Sequence, residues 1–236
     1  MVDTDPGNKE VVIYQSVICP FAQRAKICLL EKGVDHQVVP IDLATARPDW
    51  FLKLNPRGKV PVLKHNGHII YESAVIVEYL EEVLPKHKIF PSDPYLRAIA
   101  RIWVDMCNSQ YVKAYYTLLV NRDSSKRDAL VKNLHGVLQT AEDAIAKYQN
   151  AEDGPFFFGK LSVVDVTTWY PFLKRQSIVL KKYRNLGIDA QFKRVNKWFA
   201  AMDANKNFQK SNCDEALLIK AYRKYAEEKD IKDLKS

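Results

Sequence analysis

One stretch decides the fold: Val11-Val12-Ile13-Tyr14-Gln15-Ser16-Val17-Ile18-Cys19-Pro20-Phe21-Ala22-Gln23-Arg24. Its first residues form an apolar run typical of a β-strand, and the residues from Pro20 onward follow helical periodicity. Proline suits the first position of a helix, because its missing N–H would have no partner inside the helix. The pattern therefore predicts that Cys19 lies at or beside the N-cap of a helix that directly follows a strand.

A cysteine at a helix N-terminus is surrounded by free N–H groups and by the positive end of the helix dipole. Such a position can lower a thiol pKa from ~8.5 into roughly the 3.5–7.5 range. The sequence thus predicts a nucleophilic thiolate at Cys19 at neutral pH. The alternative interpretation is a buried, inert cysteine.

No second cysteine completes a dithiol centre. Ala22 holds the resolving position of a C-x-x-C pair, and Cys28 falls on the opposite face of the predicted helix. A site with one cysteine must be resolved by an external thiol. The four cysteines, at positions 19, 28, 107 and 213, also lack disulfide or metal-ligand spacing. We expect no metal and a reducing, cytoplasmic location.

Size and charge narrow the class of protein. The chain has 236 residues, 47% of them hydrophobic, which suits two domains with a sizeable core. Its 36 basic and 28 acidic residues give a net charge of +8, but both signs are interleaved along the chain. This disfavours nucleic-acid binding. The polar, acidic N-terminus is unlike a signal peptide, and no apolar run is long enough to span a membrane.

The following segments predict a βαβαββα unit. A strand is expected at 36–41, a short helix from 47 to about 55, and two strands at 59–63 and 68–71 joined by Asn66-Gly67, a strong hairpin signal. A helix then opens at Glu72-Ser73. This order is that of a thioredoxin-like domain.

Two prolines between 88 and 94 predict a linker, and the residues beyond it show helical stripes. The expected fold is α/β plus all-α: a thioredoxin-like domain at 1–87, a linker at 88–94 and a helical bundle at 95–236. Ser162 and Asp165 have the spacing of a capping box inside the second domain.

Three motifs together resemble those of a known family: Cys19-Pro20-Phe21-Ala22-Gln23-Arg24, Asn55-Pro56-Arg57-Gly58-Lys59-Val60-Pro61-Val62-Leu63 and Tyr71-Glu72-Ser73-Ala74. They resemble the cysteine-dependent cytosolic glutathione transferases of the omega class, with the lambda class a close second. The segment Trp169-Tyr170-Pro171-Phe172 departs from the omega pattern Trp-Pro-Trp-Phe. The resemblance extends into the second domain through the Ser162 capping motif.

The resemblance implies a glutathione site with Cys19 as catalytic residue. In the family the bond between the residues matching Val60 and Pro61 is cis and presents backbone to the cysteinyl part of glutathione. Glu72 and Ser73 would hold the γ-glutamyl end, although Ser73 taken alone is better explained as a simple N-cap.

Three further side chains complete the implied glutathione site. Arg47 or Lys59 would meet the glycine carboxylate, and the sequence does not rank them. Phe21 would form a wall of the site or pack in the core.

For a co-substrate pocket, the aromatic candidates are Tyr111, Tyr115, Tyr116 and Trp169. For the tyrosines, ordinary packing between helices is the alternative.

The first functional hypothesis is a glutathione-dependent thiol transferase or reductase that forms a mixed disulfide with glutathione. Dehydroascorbate reduction, deglutathionylation and a homodimer are implied by the resemblance. The second is a conjugating, detoxifying transferase that uses a hydroxyl such as Ser16 or Tyr14. The third is a non-enzymatic protein of the intracellular chloride-channel type, against which Glu72-Ser73 and the lack of an insertion segment argue.

Overall fold

The computed structural model describes residues 10–84 and 86–227. Its first part contains a four-stranded sheet of order β2-β1-β3-β4. The strands are β1 (Val11–Gln15), β2 (Gln37–Pro40), β3 (Val62–His65) and β4 (His68–Tyr71). β1 runs parallel to β2 and antiparallel to β3, and β3 and β4 form the predicted hairpin.

Three helices complete this part: α1 (Pro20–Glu31), α2 (Asp49–Leu54) and α3 (Ser73–Val83). The predicted βαβαββα order is confirmed. Ile13 and Leu63 lie in one large core cluster with α1, α3 and the later helices, whereas Val12 and Val62 lie in a smaller cluster that includes Phe51 of α2. The sheet therefore packs against α2 on one face and against most of α1, α3 and the later helices on the other.

The second part is helical over the residues described. Its helices are α4 (Pro94–Met106), α5 (Val112–Val120), α6 (Arg127–Tyr148), α7 (Tyr170–Arg175), α8 (Lys181–Arg184), α9 (Lys193–Ala204), α10 (Lys206–Ser211) and α11 (Glu215–Glu227). The predicted fold class is confirmed, and the domain limits at 87 and 95 stay a prediction. Residues 1–9, 85 and 228–236 of the predicted domains lie outside the described residues. No described helix has both the length and the apolar character that a membrane crossing requires.

Three π-helical turns interrupt the helical part, at Cys107–Tyr111, Asp165–Trp169 and Gln176–Leu180. They meet in the core, where the rings of Tyr111 and Trp169 stack with centroids 5.0 Å apart. The hydroxyl of Tyr111 donates to Oε1 of Gln176. Residues from all three widened turns are thus fixed to one another inside the bundle.

The predicted capping pair also forms. Oδ2 of the buried Asp165 accepts hydrogen bonds of 2.7 Å from both the N–H and the hydroxyl of Ser162. Oδ1 accepts from the N–H of Phe157 at 3.0 Å and from Nε1 of Trp198. This one carboxylate therefore joins the segment before the second π-helical turn to α9.

Candidate functional site

Cys19 is the N-cap of α1, with Pro20 at the first helical position, as predicted. Its N–H donates to the carbonyl of Ser16 and its carbonyl accepts from the N–H of Gln23, both at 3.0 Å. Cys19 is partly buried, and its Sγ lies 4.0 Å from the carbonyl oxygen of Val60. The end of β1 and the start of α1 thus aim the sulfur at the turn before β3.

The pKa of Cys19 differs from the expectation. Burial raises it above the ordinary thiol value, since a thiolate loses solvation there. The N–H groups of Ala22 and Phe21 and the cations of Arg175 and Arg24 all act in the opposite direction without reversing it. The predicted lowering was wrong, because the sequence showed the helix N-terminus but not the packing around the sulfur.

Two buried arginines flank the thiol. Arg175 of α7 donates from Nη2 to the carbonyl of Ile18 at 2.8 Å and from Nη1 to Oε1 of Gln23 at 2.7 Å. Its Nε donates to the hydroxyl of Tyr222 at 3.0 Å. No carboxylate of the described chain pairs with it. The second domain thereby places a fixed positive charge beside the residue that precedes Cys19.

Arg24 is the other buried cation. Its guanidinium carbon lies 4.8 Å from the ring centroid of Phe21 and 5.1 Å from that of Phe172. Nη1 is 3.5 Å from the hydroxyl of Ser73, and Nε and Nη2 have no hydrogen-bond partner among the described residues. Burial lowers its pKa to about 10. Arg24 stays charged at neutral pH, so the interior between Cys19 and Ser73 is electropositive.

A cavity of about 290 Å³ opens on one side of this region. It is lined by Phe21, Asn55, Arg57, Lys59, Val60, Pro61, Glu72 and Ser73. Six of the seven predicted glutathione-binding residues are therefore brought together here, and Arg47 is the exception. The Val60–Pro61 bond is cis, as the resemblance implied.

Asn55 and Arg57 are site residues that the sequence reasoning did not select. Asn55 organises the turn before β3: its Oδ1 accepts from the N–H of Arg57 at 3.1 Å and its Nδ2 donates to the carbonyl of Lys59 at 2.9 Å. Asn55 and Arg57 belong to the same sequence motif, residues 55–63, as Lys59. Their position beside Lys59 was the signal that could have identified them as site residues.

A larger cleft of about 660 Å³ adjoins the first cavity and shares Phe21, Lys59 and Val60 with it. It is lined also by Cys19, Leu43, Arg47, Gly58, Asn108, Val112, Lys113, Tyr116, Thr117, Val120 and Tyr225. Cys19 is thus open to a space formed by both parts of the chain. Its charged lining residues are all basic, so the cleft favours anionic groups.

Arg47 reaches this cleft but is held by backbone. Its Nε donates to the carbonyl of Gly58 at 3.1 Å, and its Nη1 donates to those of Asp42 at 2.7 Å and Thr45 at 2.6 Å. Lys59 lines both spaces and is exposed. Either cation can still meet a carboxylate, and the choice between them stays open.

Three of the four aromatic candidates do not line the cleft. Tyr111, Tyr115 and Trp169 have no exposed surface and belong to the large core. Residues four apart share a helix face, so Tyr111 and Tyr115 point into the bundle together. Val112 and Tyr116 each follow one of these tyrosines by one residue along the chain. They therefore share a different helix face, and this face lines the cleft. The pocket assignment of Tyr111, Tyr115 and Trp169 is therefore corrected.

Comparison with known proteins agrees with this geometry. A family model described as the N-terminal domain of glutathione S-transferase matches residues 18–83. Glutathione S-transferase L3 of Arabidopsis thaliana is 32% identical over 215 residues, which cover 90% of this chain and 86% of the relative. Glutathione S-transferase omega-1 of Mus musculus is 31% identical over 223 residues, with 92% and 84% covered.

Solved structures show the same relationship. Glutathione transferase Omega 3C from Trametes versicolor superposes with a TM-score of 0.79 at 27% identity, covering 88% of this chain and 91% of that one. The Tau class transferase MiGSTU from Mangifera indica gives a TM-score of 0.82 at 27% identity, with 92% and 99% covered. The similarity to omega and lambda transferases inferred from the motifs is confirmed, and the chain belongs to the glutathione transferase family.

Proposed function

We propose that this glutathione transferase is a glutathione-dependent thiol transferase and reductase with Cys19 as its catalytic residue. The observation that supports this is the residue at the N-cap of α1. It is a cysteine that lines the wide cleft, and this cleft adjoins the small polar cavity through Phe21, Lys59 and Val60. Its thiolate can form a disulfide, which a hydroxyl in the same place cannot.

In the proposed reaction the Cys19 thiolate attacks the glutathione sulfur of a mixed disulfide. A sulfur–sulfur bond forms between Cys19 and glutathione, the substrate's own disulfide bond breaks, and the substrate leaves as a thiolate that takes up a proton. A second glutathione thiolate then attacks the protein-bound disulfide, releasing oxidised glutathione and regenerating Cys19. Deglutathionylation follows this scheme directly. Reduction of dehydroascorbate would instead consume two free glutathione molecules, which supply the two electrons and two protons and leave as oxidised glutathione.

Glutathione is proposed to bind with its γ-glutamyl end in the smaller cavity. Ser73 is the first residue of α3, so its hydroxyl and the free N–H groups of that helix suit the α-carboxylate. Glu72 would meet the ammonium group, and the cysteinyl part would lie along Val60 beside Cys19. The glycine carboxylate would meet Arg47 or Lys59.

The conjugating alternative lacks its hydroxyl. Tyr14 has no exposed surface and packs against Trp50 and Phe51 of α2. Ser16 lines neither cavity. Conjugation is therefore a side activity at most in this proposal, with no metal required.

The decisive experiment is Cys19→Ser in two assays on one preparation. Thiol transfer should disappear, because serine cannot form a mixed disulfide, while conjugation of glutathione to an activated aryl halide should persist or rise. Opposite directions cannot arise from misfolding. Thiol transfer retained at the wild-type rate would assign the chemistry elsewhere, and chloride flux in liposomes without any thiol transfer would favour the channel-type alternative.

We also propose a cytoplasmic homodimer. Val75 of α3 and Tyr95 and Ile102 of α4 expose 55%, 61% and 58% of their surface, and a second copy would cover such apolar side chains. Sedimentation velocity at micromolar concentration tests this, with Ile102→Glu expected to shift a dimer to monomer. A monomeric wild-type protein would contradict it.

A further inference from the structure

An exposed ion pair stands on the rim of the smaller cavity. Nη1 of Arg57 lies 2.5 Å from Oε1 of Glu72, with 54% and 51% of the two side chains exposed. Ion pairs this exposed contribute little to folding stability. The pair therefore needs an explanation other than the stability of the fold.

Both residues are fixed by backbone features. The Asn55 turn positions the N–H of Arg57, and Gly58 follows with φ of 63°. Glu72 has φ of 70°, a strained conformation for a non-glycine residue that persists mainly at functional sites. Although Glu72 is the N-cap of α3, its side chain makes no cap hydrogen bond. Its carboxylate is directed to Arg57 at the cavity instead.

The cavity thus presents the anion of Glu72 and the cation of Arg57 side by side as a pair, and Lys59 is a further, exposed cation of its lining. An α-amino acid group carries the complementary pair, an ammonium and a carboxylate on the same carbon. We propose that Arg57 and Glu72 together recognise the zwitterionic γ-glutamyl end, with Arg57 binding the α-carboxylate alongside Ser73 and Glu72 binding the ammonium. This inference rests on the proposed function and adds Arg57 as a binding and specificity-determining residue.

In the free protein the two side chains neutralise each other. On binding, Arg57 exchanges Glu72 for the carboxylate of the ligand, and Glu72 exchanges Arg57 for the ammonium group of the ligand. The two protein charges and the two ligand charges then alternate around the cavity rim. No net charge is created, and a guanidinium can hold a carboxylate in two parallel hydrogen bonds. Selectivity follows, because a ligand that lacks either charge leaves one protein charge without a new partner.

The test uses three ligands in calorimetry: glutathione, its analogue without the α-amine (glutaryl-cysteinyl-glycine) and its analogue without the α-carboxylate (4-aminobutyryl-cysteinyl-glycine). Arg57→Gln should weaken glutathione binding about tenfold or more and leave the affinity for the 4-aminobutyryl analogue unchanged. Glu72→Gln should show the reverse pattern, sparing the glutaryl analogue. Arg127→Gln, at an exposed arginine of α6, is the matched control and should change no affinity.

A swapped variant separates recognition from structure. Arg57→Glu combined with Glu72→Arg restores an ion pair on the same rim but reverses its direction, so glutathione affinity should stay low. Recovery of affinity in the swapped variant, or an equal loss for all three ligands in Arg57→Gln, would overturn the inference. A wild-type protein that fails to bind glutathione would refute the proposed function itself, which distinguishes the two failures.

Discussion

Asp165 should be among the residues on which the stability of the second domain depends most. Its buried carboxylate accepts from two backbone N–H groups, a hydroxyl and an indole N–H. In Asp165→Ala the hydroxyl can rotate to another acceptor, but three N–H donors are left buried without partners. Each such donor costs about 1–3 kcal/mol, and relief of burying a charge offsets part of the sum, so we expect a loss of about 3–5 kcal/mol.

Urea unfolding followed by fluorescence measures this loss, with the slope m checked for constancy. Asp128→Ala is the matched control, since its side chain is 98% exposed, and it should change the free energy of unfolding by no more than about 0.5 kcal/mol. Combined with Trp198→Phe, Asp165→Ala should be less than additive, because both changes remove the same hydrogen bond. A loss below about 1 kcal/mol in Asp165→Ala would show that water or rearranged packing satisfies the donors, and the reasoning would fail.

Three further predictions concern the site. Since burial raises the pKa of Cys19, its thiolate fraction at neutral pH is small and grows as pH rises. Iodoacetamide alkylation and thiol transfer should therefore both increase from pH 7 to 9 without levelling off. A plateau of either rate below pH 7 would contradict this. Arg175→Gln should move that profile to higher pH and Arg175→Lys should largely restore it, as mass mapping of alkylated peptides would show. Tyr116→Phe should alter the KM for bulky disulfide co-substrates and leave the affinity for glutathione unchanged. Tyr111→Phe should lower the unfolding temperature of the protein and leave that KM unchanged. Equal effects of the two substitutions on the KM would mean that Tyr116 has been wrongly assigned to the wall of the cleft.

The sequence predicted those features that depend on local chemistry. Pro20 after an apolar run was sufficient to place Cys19 at a helix N-cap, and Asn66-Gly67 was sufficient for the hairpin, because in each case the backbone preference of a few adjacent residues decides the structure. The grouping of Val60 and Ser73 came from the resemblance to a family.

What the sequence could not give depends on packing between distant segments. Arg175 lies far along the chain from Ile18, whose carbonyl it contacts, and nothing in its own neighbourhood distinguishes it from the other arginines. The orientation of Tyr115 and Tyr116 differs by one step of a helix that follows a π-helical turn, a shift that periodicity does not reveal.

The reactivity of the thiol therefore depends on two parts of the molecule. The first part supplies the sulfur and the N–H groups of α1, which favour the thiolate in any environment. Cys19 also packs against the smaller core cluster of the first part, and its burial opposes ionisation, whereas the helical part supplies Arg175, which favours the thiolate. Because Arg175 is tied to Tyr222 of α11 as well as to Ile18, a change in the packing of α11 alters the position of this charge relative to Cys19. A substitution such as Tyr222→Phe, which removes only the hydroxyl that accepts from Nε of Arg175, should therefore change the pH profile of Cys19 alkylation although it lies outside both cavities. An unchanged profile in a folded Tyr222→Phe protein would show that the remaining hydrogen bonds to Ile18, Gln23 and Pro171 fix Arg175 by themselves.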